Sequence, residues 1–197
     1  MPGFNGWYHC MSSTYGAWLP GDPRGFRTRG HREHVQGDYK NPPPAGVYEQ
    51  RHDAAKGRMK RSAVVLSGEA RRAACEEVRD SLIRHGAEVL AVSVSTTHMH
   101  VLARFPLEGK PTFAERGLRG KRNSAVDDPV RHLVGLAKQW SSKRLIADGL
   151  ALPGGVWARK GKIVPIKDRA HQVNVYKYII DHARKEAAAV WSFRDEP

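Results

Sequence analysis

The chain has 197 residues, a formal net charge of +13 and two cysteines, Cys10 and Cys75. That length suits one domain, 1–197, with insertions and a core that needs no staples. The two cysteines form neither a zinc-finger spacing nor a disulfide framework. The charge points to a polyanionic partner, and nucleic acid is the natural one. No run of 18 apolar residues and no basic amphipathic helix is visible, so a membrane is not the expected partner. The opening MPGFNGWYHC lacks the charged and apolar regions of a signal peptide, so a cytoplasmic protein with reduced thiols is expected.

Residues 4–18, rich in aromatic and β-prone types, read as a first strand. A basic, Pro- and Gly-rich stretch follows over about 20–62, read as irregular. An insert of that length inside a compact domain is functional or disordered, and both readings stay open. Ser67 is then a helix cap, His85 the end and Gly86 the stop, with Ala70, Ala74, Val78 and Leu82 on one side. Residues 88–95 and 98–105 read as two strands joined at Thr96-Thr97. A second basic loop, 107–128, holds Lys110, Arg116, Arg119, Lys121 and Arg122.

Asp128 then caps a helix opened by Pro129, with Val130, Leu133, Val134, Ala137 and Trp140 as its apolar side and Gly149 as its end. A short strand lies around 155–165, and a last helix runs from near Asp168 to about Ala188. This order predicts an α+β, ferredoxin-like split βαβ sandwich with an antiparallel sheet and an extra C-terminal helix. Two main helices cover one face of such a sheet and leave the other free for a site.

Two short patterns carry chemistry. Side chains alternate along a strand, so His98 and His100 point one way and Met99, Val101, Ala103 and Phe105 the other. Two imidazoles at that spacing can converge on a cation. With 10 histidines in 197 residues, one such pair arises by chance in about every second chain of this kind, so it gains weight only from its context. On the last helix, at about 100° per residue, His171, Asn174, Tyr178, His182 and Lys185 share a polar stripe. Val173, Tyr176, Ile179, Ile180 and Ala183 lie opposite, so Tyr176 reads as a core aromatic. A phenol ionises near pH 10 and needs an adjacent metal or imidazole to act as a nucleophile at neutral pH.

His98-Met99-His100 together with Tyr178-Ile179-Ile180-Asp181-His182 resembles the HUH single-strand transposases with one catalytic tyrosine, which include the REP-associated tyrosine transposases. Tyr15 to Phe26, YGAWLPGDPRGF, resembles an opening found in one branch of them. The resemblance implies Tyr178 as the nucleophile and His98, His100 and a third ligand, here His182, around Mg²⁺ or Mn²⁺. It implies single-stranded DNA, with stem-loops, as substrate, cleaved and rejoined through a 5′-phosphotyrosine. His182 stands where the family often has Gln or Asn, which would shift metal preference toward Mn²⁺ or Zn²⁺. The two basic loops exceed those of compact members.

Lys138, Lys143, Arg144, Arg159, Lys160 and Lys162 are candidate backbone contacts. A homodimer, with the tyrosine acting in either subunit, is compatible with the sequence. Two alternatives stand beside the transposase: a DNA-binding or repressor-like protein that does not cleave, and a metal nuclease in which water attacks.

Overall fold

The structure is a computed structural model that describes residues 4–22, 46, 48–106 and 129–195. Its elements, in chain order, are β1 Trp7–Ser13, α1 Glu49–Gly57, α2 Gly68–Arg84, β2 Glu88–Val94, β3 His98–Arg104, α3 Pro129–Ala147, β4 Lys162–Pro165, α4 Arg169–Glu186 and β5 Ala189–Ser192. The strands form one antiparallel sheet in the order β4-β1-β3-β2-β5. With β5 set aside, that is the strand order of a ferredoxin-like sandwich, so the α+β reading holds.

Local chemistry sets the helix ends. The Ser67 hydroxyl accepts from Ala70 N at the start of α2, and Gly86, at φ +81°, turns the chain out of it toward β2. Asp168 accepts from His171 N at 2.7 Å and starts α4. Ala70, Ala74, Val78 and Leu82 of α2 are all buried. They pack with Val130, Val134, Ala137 and Leu145 of α3 on Cys10, Val92, Val94, Met99, Val101 and Ala103. Helix α4 lies on the other face, over Trp7, Ala91, Leu102 and Ile166, through Val175 and Ile179.

A bulge between Val89 and Ala91 resets the alternation of β2. Val89 therefore belongs to the α2/α3 core, while Ala91 belongs to the α4 side.

Several expectations need correction. The first strand is shorter than 4–18, and Thr14 beyond it makes only a single bridge to Trp157. The 20–62 stretch is not wholly irregular, because 49–57 form α1, which buries no residue. Part of the Tyr15–Phe26 segment packs on that helix. A Cβ on Gly21 (φ +85°) would lie 2.5 Å from His52 N and 2.8 Å from Tyr48 O, so no larger residue fits there. Trp140 is not a core residue: it is 43% exposed, and Lys143 Nζ stands 4.6 Å from its ring.

Ser141 and Ser142 take the buried positions instead. Their hydroxyls accept from Trp157 Nε1 (2.8 Å) and Val156 N (3.1 Å) and so anchor the segment leading to β4. The sequence reading also stopped at α4 and missed β5, which pairs with β2. Pro23–Phe26 of the opening segment, the 107–128 loop and the Asp128 cap lie outside the described residues. No helix among the described residues is long and apolar enough to cross a membrane.

Candidate active site

The register of the sheet decides which side chains meet on its α4 face. Met11 is paired with His100 and Ser13 with His98, while Lys162 is paired with Met11 and Ser93 with His100. Paired residues share a face, so Met11, Ser13, Ser93, His98, His100 and Lys162 all project to the side of α4. The apolar part of that face, around Leu102 and Ala91, is covered by Val175 and Ile179. The histidine end meets the second half of α4.

The buried residues of α4 are Gln172, Val175, Ile179 and His182. Their stripe runs between the polar and apolar sets expected from the sequence. Tyr178 and Tyr176 lie about 80° to either side of its centre. His182 is therefore only 4% exposed, aimed at the sheet, while Tyr178 is 49% exposed at the edge of the site. Tyr176 is corrected from a core residue to a half-buried one, edge-on to Phe193 at 6.0 Å between centroids.

Ligand atoms of His98, His100 and His182 all lie within 4.8 Å of one another. The Tyr178 ring is 4.5 Å from that of His182 and 5.3 Å from that of His100, centroid to centroid. Hydrogen bonds hold each imidazole by its Nδ1 atom. His182 Nδ1 is 2.7 Å from Tyr178 O, His98 Nδ1 is 2.9 Å from Ser95 Oγ, and His100 Nδ1 is 2.9 Å from His9 Nε2. A backbone carbonyl can only accept, so His182 carries a proton on Nδ1 and turns its Nε2 toward the cluster. This is how metal-binding imidazoles are oriented by outer partners.

Burial disfavours the charged form of His9, His98 and His100. It lowers the pKa of His100 to about 2, with the charges of His9, His98 and His182 adding to the effect. It lowers His9 to about 4, helped by His171, His182 and Lys162. His98 is lowered as well, chiefly by burial, while Glu186 pulls the other way. Three imidazoles with their ring nitrogens converging are a donor set that can hold a divalent metal.

Two neighbours of this cluster were missed in the sequence. His9, 8% exposed, meets His100 across a separation of 91 residues, and only the strand register could have shown it. Glu186 stands one helical turn beyond His182, with carboxylate oxygens 3.4 Å from His98 Nε2 and 3.8 Å from His182 Nε2. Its signal was present, since Tyr178, His182 and Glu186 repeat every four residues.

The six basic candidates divide. Lys160 and Lys162 join Met11, Ser13, His98 and His100 around a cavity of about 310 Å³ beside the cluster. Arg159 is exposed, but it is not among the residues around that cavity. Lys138, Lys143 and Arg144 belong to α3, in the layer across the sheet. Lys138 Nζ donates to Ala158 O at 2.5 Å, and Arg144 is paired with Glu76 at 2.9 Å and Asp148 at 3.5 Å.

No protein-family profile matches the chain, and no curated protein matches it in sequence. Among solved structures, it is similar to a REP-associated tyrosine transposase bound to a REP hairpin. The TM-score is 0.45 and the identity 13%, over 94% of this chain and 71% of that one. At such identity, what the site does has to be argued from its own residues.

Proposed function

We propose that the protein is a transposase-like enzyme that cleaves and rejoins single-stranded DNA through a 5′-phosphotyrosine on Tyr178. The observation that carries this reading is the placement of a half-exposed phenol against three converging imidazoles, two of them buried, on the open end of one sheet face. His98, His100 and His182 would hold the divalent metal, which when bound polarises a phosphate and favours departure of the 3′ oxygen. The donor set favours Mn²⁺, Zn²⁺ or a similar ion over Mg²⁺, which prefers oxygen.

The chain's own residues do the rest. Tyr178 Oη attacks phosphorus, a Tyr–O–P bond forms and the P–O3′ bond breaks. The phenolic proton leaves to solvent, which the exposure of Tyr178 allows, and the departing 3′ oxygen takes up a proton. The reverse attack by a 3′-OH rejoins strands, and the covalent link conserves the bond energy, so no nucleotide cofactor is required. Lys160 and Lys162 flank the histidines and would position the backbone on either side of the reacting phosphate. Tyr178 and the three histidines belong to one chain, which supports action within a single subunit, with a homodimer compatible but not required.

The test is a denaturing gel of end-labelled single-stranded stem-loop DNA with Mn²⁺. The unmutated protein is expected to form a covalent adduct that Tyr178→Phe cannot form, while binding of the DNA is retained. Binding itself should weaken with salt, with a log–log slope near −0.7 per neutralised phosphate. Cleavage without an adduct would favour attack by water. Salt-sensitive binding without cleavage would favour a DNA-binding protein only.

A further inference from the structure

We infer that Glu186 is a fourth metal ligand, so that the centre is a three-histidine, one-carboxylate site built for a transition metal. This rests on the metal reading of the cluster given above and goes beyond it in adding a donor and a selectivity.

The hydrogen-bond pattern is the first ground. His182 carries its proton on Nδ1, facing Tyr178 O at 2.7 Å. The Ser95 hydroxyl donates to His98 O at 3.2 Å and so accepts from His98 Nδ1 at 2.9 Å. Both Nδ1 atoms are thus taken up by partners outside the cluster, and both Nε2 atoms face the Glu186 carboxylate, at 3.4 Å and 3.8 Å. A cation between them turns the same arrangement into four converging donors.

The second ground is distance. One carboxylate oxygen, Oε2, faces His98 Nε2 at 3.4 Å and the other, Oε1, faces His182 Nε2 at 3.8 Å, close to the edge of about 3.4 Å of a tetrahedron with metal–ligand bonds of about 2.1 Å. The histidine ligand atoms, within 4.8 Å of one another, would draw in by about an ångström on binding. The third is the place of Glu186 on its helix. It is the last residue of α4, where exposed carbonyls make the end negative and a carboxylate is disfavoured. Arg184 and Lys185, beside it, are both engaged with Asp181, at 3.0 Å and 2.5 Å. A metal held by the histidines would supply the missing positive charge.

The probe is Co²⁺, titrated into the full metal-free chain without DNA and followed by its visible absorption. The unmutated protein is expected to bind one Co²⁺ with the intense absorption of a four-coordinate ion, and a large excess of Mg²⁺ should not displace it. Glu186→Gln and Glu186→Ala should weaken Co²⁺ by more than about 100-fold and reduce the absorption, with folding checked by circular dichroism. A loss of only 10–100-fold, with the spectrum unchanged, is typical of a group that merely orients a ligand and would overturn the assignment. So would variants that bind like the parent, or ready displacement by Mg²⁺. If the unmutated protein binds no Co²⁺ at all, the metal reading itself fails, an outcome separate from failure of Glu186 alone.

Discussion

Strand β3 presents two different environments on its two faces. On the α2/α3 side, Met99, Val101 and Ala103 are all fully buried within one continuous apolar cluster. On the α4 side, Leu102 is equally buried, yet His98 and His100 follow it along the same strand toward an open end with Tyr178 at its rim. The difference comes from what lies above each face. Two helices cover the first face, whereas α4 applies apolar residues only to the Leu102 half of the second and then turns to His182 and Glu186. One alternating strand thus supplies a hydrophobic anchor and a polar site, and the rigidity of the first holds the second in place.

The comparison can be broken by substitution on either side of β3. Met99→Ala is expected to cost roughly 2–5 kcal/mol, the range for emptying a packed position, as a fall in the denaturant midpoint. His98→Ala, beside it but partly exposed, should cost about 1 kcal/mol or less. Equal losses would mean that the two faces are energetically alike and that the histidine end is simply more core.

Metal sharpens the same contrast. A site present only in the folded chain adds about 2.7 kcal/mol of stability at a metal concentration 100 times Kd. Thermal unfolding of the unmutated chain should therefore shift upward with Mn²⁺ or Zn²⁺, and His100→Ala should abolish the shift. An equal shift in both proteins would place the metal elsewhere.

The smallest effect belongs to the dry side. Burial pushes the Cys75 thiol from 9.0 up to about 12, and its Sγ lies 3.7 Å from Val92 O. Raised in the folded state, the thiol contributes stability in full below pH 9 and loses it as pH rises toward 12. At pH 10 the loss is about 1.4 kcal/mol. Urea midpoints at pH 8 and pH 10 should show that decrement in the unmutated chain and lack it in Cys75→Ala. The same decrement in both would show that Cys75 is not the group responsible.

The sequence made some of this visible and hid the rest for physical reasons. Helix α2 was readable because Ser67, Gly86 and a four-residue apolar repeat are local signals, and the β2–β3 pair because two β-prone runs are joined by a very short turn at Thr96-Thr97. The convergence of His98, His100 and His182 was approachable through two local spacings. His9 was not, since its contact with His100 spans 91 residues and depends on register alone. Strand β5 was hidden because α4 ends on Ala187 in a left-handed conformation, φ +49°, where a glycine would ordinarily mark the turn. Helix α1 buries nothing, so no apolar period announced it. The face of α4 was misjudged by about 80°, because His182 and Gln172 are polar residues on its buried stripe.

The central claim is that Tyr178, and not its neighbour Tyr176, becomes joined to DNA. Lys177 separates the two tyrosines, so trypsin can release them in different peptides. The direct measurement is mass spectrometry of a tryptic digest after reaction with a short single-stranded stem-loop and Mn²⁺, with fragmentation to locate the modified residue. The account predicts a nucleotide attached through phosphate to Tyr178, in the peptide that ends at Arg184. A nucleotide on Tyr176, or cleaved DNA with both tyrosines unmodified, would contradict it.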